Sequence, residues 1–132
     1  MKIFDCFMYF DEDLVLELRL NFLSKFVDQF IIVESKFNHK GEKRELKFDL
    51  KNFKEFENKI TYINLDIGPQ EIYKINQNDT ESEKSSKYIS NSAERGNFQR
   101  NQIAKGLNNV GENDWIIVSD IDEIPNLKNI DL

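Results

Sequence analysis

One cysteine, Cys6, and one histidine, His39, are all that this 132-residue chain offers of either type. No internal disulfide can form, and neither a Cys/His zinc site nor a Ser-His-Asp triad can be assembled. Breakers are also scarce, with two prolines and five glycines, so Gly41, Gly68-Pro69, Gly111 and Pro125 stand out as punctuation. No apolar run approaches the roughly 20 residues of a membrane span, and no signal peptide opens the chain. The expected compartment is cytoplasmic. Long basic runs are missing too: net charge is -6 and the pI about 4.9. That excludes nucleic acid and anionic membrane as main partners. An acidic protein that binds an anionic diphosphate must recruit a metal or a local Arg or Lys.

What is present is a globular balance, 39% hydrophobic against 32% charged, which separates the chain from disordered sequences. Its length allows at most one domain. The most informative stretch is Trp115-Ile-Ile-Val-Ser-Asp-Ile-Asp-Glu-Ile-Pro125. Four apolar residues, Trp115 to Val118, read as a short strand buried on both faces of a parallel sheet. Asp120 and Asp122 follow at its carboxyl end, where ligands of open α/β sheets bind. Residues two apart in extended chain point the same way, so the two aspartates share a side while Ile121 turns to the core. Two carboxylates a few ångströms apart repel by about 1 kcal/mol in water and about 4 at an effective dielectric near 20. A hard divalent cation, Mg²⁺ or Mn²⁺, removes that cost and takes substrate phosphates as further ligands. A solvated acidic turn is the competing reading of the same tripeptide.

Along the chain, Lys2 to Tyr9 is strand-like. Leu14 to Phe26 is ambiguous, since Leu14, Leu16, Leu18 and Leu20 alternate while Leu14, Leu18, Phe22 and Phe26 keep helical spacing. Its helix formers favour a helix, capped by Asp11 or Asp13. Gln29 to Glu34 is a second buried strand. Asp49 caps a short helix with Leu50, Phe53 and Phe56 on one face, and Ile60 to Leu65 is a third strand. Residues 70–92 form a polar segment, expected as a flexible insertion in which only Ile72, Tyr73, Ile75, Tyr88 and Ile89 are available as anchors. Asn91-x-x-Glu94 resembles a capping box for a helix to about Val110, with Ile103, Ala104, Leu107 and Val110 inward. This alternation predicts an α/β fold with a mostly parallel sheet and crossover helices.

The residues resemble glycosyltransferase family 17, whose members include β-1,4-mannosyl-glycoprotein 4-β-N-acetylglucosaminyltransferases. The likeness runs through Ile3-Phe-Asp-Cys-Phe-Met-Tyr9, Glu17-Leu-Arg-Leu20, Val27-Asp-x-Phe-Ile-Ile-Val-Glu34, His39-Lys-Gly41, Gln99-Arg-Asn-Gln-Ile103 and Ile116-Ile-Val-Ser-Asp-Ile-Asp-Glu-Ile-Pro125. It implies a GT-A-like (Rossmann-like) domain over residues 1–132, or the amino-terminal nucleotide-sugar half of one, with the sheet incomplete at the C-terminus. It also implies a metal-dependent, inverting transfer of N-acetylglucosamine from a UDP-sugar donor to a glycan acceptor, with Mn²⁺ or Mg²⁺ as cofactor. Golgi members of the family carry a membrane anchor that this sequence lacks, in keeping with the cytoplasmic expectation.

By the resemblance, Asp122 ligates the metal and Asp120 contacts metal or ribose. Glu34, at a strand end, either accepts hydrogen bonds from uridine or ribose or pairs with Lys36 or Arg44. Arg100, in the string begun by Gln99, is expected to offset diphosphate charge; Arg95 has the same expectation, against an ion pair with a neighbouring glutamate. Arg19, mid-helix, reads as a structural salt bridge, His39 as a loop residue and Cys6 as a small buried apolar residue. No catalytic base is assigned. Two alternatives compete: a non-catalytic or truncated nucleotide-sugar-binding module, and a phosphatase-like enzyme with a strand-end Asp-x-Asp. The second conflicts with Ile124-Pro125 standing where a Gly-Thr turn would follow.

Overall fold

The computed structural model describes residues 1–131. Four strands, β1 (Ile3–Met8), β2 (Gln29–Ser35), β3 (Ile60–Leu65) and β4 (Trp115–Val118), form one sheet in the order β3-β2-β1-β4. Every pairing is parallel, with Cys6 opposite Ile31, Asp5 opposite Ile117 and Phe30 opposite Ile60. Helix α1 (Asp13–Leu23) and a 3₁₀ segment (Leu50–Lys59) cover one face; α2 (Glu81–Asn101) and its 3₁₀ extension (Gln102–Gly106) serve the other. The expected Rossmann-like α/β architecture is what the chain adopts.

Alternation along the strands divides the core. Phe30 and Ile32 pack toward α1 with Phe7, Leu16 and Leu20, whereas Ile31 and Val33 face Ile103 with Phe4 and Cys6. Gly106 is required by this packing, because a Cβ there would stand 2.7 Å from Ile31 Cγ2. Asp49 caps the 3₁₀ segment as expected, its carboxylate accepting from Lys51 N. Phe53 and Phe56 are buried there, but Leu50 is exposed.

Three local expectations are corrected. In α1 the buried face is Leu16, Arg19, Leu20 and Leu23, while Leu14, Leu18 and Phe22 are exposed. The reason is Arg19, which must reach a buried carboxylate on β1 and so rotates the helix away from the purely apolar stripe. Its N-cap is Glu12, without a side-chain cap bond. In α2 the helix begins ten residues earlier than Asn91. Thr80 and Glu83 form the capping box, each side chain bonded to the other's backbone N–H. Residues 81–92 are therefore helical. Asn91 instead anchors the irregular segment before the helix, its amide group exchanging two 2.7 Å hydrogen bonds with the Tyr73 backbone. Tyr73, Tyr88 and Ile89 remain exposed. The α-helical part ends at Asn101, and Ala104 on the following turn is exposed.

The third correction concerns β4. It pairs with β1 alone and forms a sheet edge. Trp115, Ile116 and Val118 are each 43–50% exposed, so the strand is not buried on both faces. Its apolar run reflects β-propensity and one covered side chain, Ile117, rather than a central position. Among the described residues no helix is long and apolar enough to cross a membrane.

Cys6 is fully buried between the sheet and α2. Burial, reinforced by the neighbouring Asp5 carboxylate, pushes its thiol up to about 12. Burial also raises the phenols of Tyr9 and Tyr62, aided by hydrogen bonds to Asp13 and Glu34. The folded chain thus holds these protons more tightly than the unfolded chain does. Their contribution to stability is complete at neutral pH and declines as pH rises from about 9 toward 12. The urea midpoint should fall across that window. At pH 8 the native thiol should react with a disulfide reagent only as fast as the protein opens; rapid labelling of native protein would contradict the buried placement.

Candidate functional site

A cleft of about 710 Å³ opens at the carboxyl ends of β1 and β4. Its walls come from three stretches that follow strands, and from two helices, α1 contributing Val15. The segment leaving β1 contributes Tyr9 and Phe10, the loop after β2 contributes Asn38, His39 and Lys40, the turn after β4 contributes Asp120 and Asp122, and α2 contributes Gln99.

Two buried arginine–carboxylate pairs hold these pieces together. The first is Arg44–Glu34. Glu34 is fully buried at the end of β2 and accepts from Tyr62 Oη (2.7 Å), Lys47 N (2.8 Å) and Phe48 N (3.1 Å), with Arg44 Nη2 at 2.9 Å. Arg44 also donates to the carbonyls of Ser35 and Phe10 and lies over the Phe10 ring. One guanidinium therefore ties the loop after β2 to the exit of β1. Of the two readings for Glu34, the geometry is that of the Arg44 pair: the carboxylate sits beneath the loop and does not line the cleft.

The second pair is Arg19–Asp5, in which both partners are fully buried. Arg19 Nε and Nη2 bind the two Asp5 oxygens at 2.8 and 2.7 Å. The same guanidinium reaches Ser119 Oγ and the backbone carbonyls of Asp120, Ile121 and Glu123. It is a structural salt bridge, as expected, but one that extends into the acidic turn. Nothing in the sequence spacing announces this, because the partners lie about 100 residues away and most are backbone atoms.

In the turn itself Ile121 is buried in the core, and Asp120 and Asp122 are exposed on the cleft wall. Glu123 does not face outward alone: its carboxylate accepts from Asp120 N at 3.0 Å, and its own N–H donates to Asp120 O at 2.9 Å. Arg100 Nη2 lies 3.3 Å from Asp120 Oδ1, with both side chains about half exposed. In that solvated setting the pair contributes little to stability. It does place a planar cation beside the carboxylates, free to exchange partners. Gln99 is buried, donates to Val33 O at 3.2 Å and forms the cleft floor. Arg95 is placed elsewhere: it donates to His39 O and packs over Gly41, whose φ of +83° requires glycine, beside a smaller pocket of about 170 Å³. Asp120, Asp122, Gln99 and Arg100 are thus brought together, and Glu34 and Arg95 support the neighbouring loop. The sequence reading left His39 in the loop without a role; it lines both pockets.

A profile of Glycosyltransferase family 17 matches residues 1–132, the whole chain. The chain belongs to that family. Comparison with curated proteins and with solved structures returned no match. The family-17 assignment makes this a glycosyltransferase, an enzyme that takes a sugar donor and an acceptor, and it displaces the phosphatase-like reading.

A divalent cation is a chemical fit there. Among the described residues no group of three or more His, Cys, Asp or Glu side chains converges as a complete cage. Two exposed carboxylates on one wall would supply hard oxygen ligands to Mg²⁺ or Mn²⁺ and leave its remaining positions open.

Proposed function

We propose that the cleft binds the diphosphate of a UDP-sugar through Mn²⁺ or Mg²⁺ held by Asp120 and Asp122, and that N-acetylglucosamine is transferred to a glycan hydroxyl with inversion. The observation that supports this most directly is the pairing of Asp120 and Asp122 on the wall of a strand-end cleft large enough for a nucleotide sugar. The cation, when bound, supplies Lewis-acid charge for the departing diphosphate.

The chain's own groups do the rest. Arg100, half exposed beside Asp120, offers a planar fork that matches phosphate oxygens. Gln99 presents a buried amide on the floor, and Met8, Val15 and Ile121 give the cleft apolar surface for the donor to rest against. Inversion requires the acceptor hydroxyl to approach the anomeric carbon from the side opposite the nucleotide, with a base removing its proton.

Calorimetry with UDP-N-acetylglucosamine tests the reading. Binding is expected with Mn²⁺ present and should disappear in EDTA. Equal affinity in both conditions would remove the metal bridge, and a donor that never binds would remove the site.

A further inference from the structure

Arg19 is fully buried, and all of its donors are used. Two contacts go to Asp5. Four go to one turn of chain: Ser119 Oγ at 2.7 Å and the carbonyls of Asp120, Ile121 and Glu123 at 2.7, 3.1 and 3.1 Å. The guanidinium also stands 4.6 Å from the Phe7 ring centroid. We propose that Arg19, oriented by Asp5, is the positioning residue that sets the backbone of the Asp120-Ile-Asp122 turn, and so the relative placement of the two donor-binding carboxylates.

The distribution of contacts supports positioning rather than stability alone. A buried ion pair contributes little beyond an apolar pair of the same volume, so stability does not explain its presence. Three carbonyls converging on one nitrogen fix the peptide planes of the turn. With those carbonyls directed inward and Ile121 packed in the core, Asp120 and Asp122 are left on the cleft wall. Without Arg19, the turn keeps the Asp120–Glu123 bonds, Ser119 Oγ donating to Glu123 O at 3.1 Å, Ser119 N donating to Cys6 O at 3.3 Å, the packing of Ile121 and the exposed Arg100 contact, none of which binds the Asp120, Ile121 and Glu123 carbonyls together. Lysine cannot replace the device, since an ammonium lacks the five-donor fork.

The inference rests on the donor-binding reading, and the test separates the two. The variant Asp5→Leu/Arg19→Met swaps the ion pair for apolar side chains of similar size, and Arg19→Lys keeps charge and loses the fork. Both are compared with wild type by thermal melt, by amide hydrogen exchange of residues 119–124, and by calorimetry with UDP and Mn²⁺. The double variant should remain folded with a cooperative melt, lowered by the loss of the donor to three carbonyls and Ser119 Oγ. Its exchange at 119–124 should rise about tenfold or more while β1 and β2 stay protected, and its Mn²⁺-dependent affinity should fall about 10–100-fold, as for outer-shell groups that orient ligands. Arg19→Lys should show the same loss of affinity. Wild-type exchange and affinity in either folded variant would overturn the proposal. If wild-type protein binds no Mn²⁺–UDP, the donor-binding reading fails, and unchanged exchange at 119–124 would by itself overturn the tether.

Discussion

Replacing Asp122 by asparagine is expected to lower turnover by about two to three orders of magnitude while leaving the melting temperature unchanged. The size effect follows from removing one group that stabilises charge on the departing diphosphate, worth roughly 2.7–4 kcal/mol in comparable sites. The stability expectation has a separate basis. Asp122 is exposed on the cleft wall, and substitutions at such positions generally fall within about 0.5 kcal/mol. Asparagine keeps the shape and removes only the charge. Asp120→Asn gives a less clean result, because it also loosens the contact with Arg100. Transfer assays and melts on both variants check this. A fully active Asp122→Asn enzyme would exclude the residue from donor binding, and an unfolded one would make it structural.

The opposite pattern is expected for Glu34→Ala, a large loss of stability. The substitution leaves the Arg44 guanidinium, only 10% exposed, without its counter-charge. It also removes the acceptor from Tyr62 Oη and from two backbone N–H groups. Breaking a buried pair by deleting one partner costs about 3–5 kcal/mol. For a chain of this size that lowers Tm by about 10 °C or more. The loop after β2 should loosen with it, since Arg44 bridges Ser35 and Phe10. A melt within about 2 °C of wild type would show that the loop is held by other contacts, such as the stacking of Phe48 on Tyr62 at 4.6 Å.

The strands were the legible part of this molecule. Strands β1 and β2 are short apolar runs covered on both faces, as central parallel strands require, and β3 and β4 are short β-prone runs bounded by turn residues. Which strand lies at the edge was not legible, because Trp115 to Val118 is as apolar as Phe30 to Val33 and sheet order depends on chain routing. The face of α1 was misjudged because its inward position 19 carries a charge, which hydrophobic periodicity counts as outward. The start of α2 was missed because Thr80-x-x-Glu83 opens a helix whose first turns are almost wholly polar. In the cleft, Asp120 and Asp122 were legible from their place after a strand, and Gln99, with Arg100 beside Asp120, from the string that contains them. The grip of Arg19 was not. Backbone carbonyls are chemically the same at every residue, so a side chain that binds them leaves no matching partner to read.

The routing of β4 has a consequence for how the site comes into being. Strand β1 meets β2 across a short separation, Phe4 opposite Gln29, and β2 then meets β3. Strand β4 must return to β1 from the far end of the order, where Lys2 N meets the Asp114 carboxylate across 112 residues. Loop closure costs more with separation, and such distant parallel pairings form slowly. Asp120 O is synthesised 101 residues after Arg19. At roughly 5–20 residues per second on a ribosome, that interval is about 5–20 s. Throughout it, β1 has an open edge and Arg19 lacks the four contacts that the turn supplies. The strand-end cleft is complete only once β4 and its turn have docked on β1.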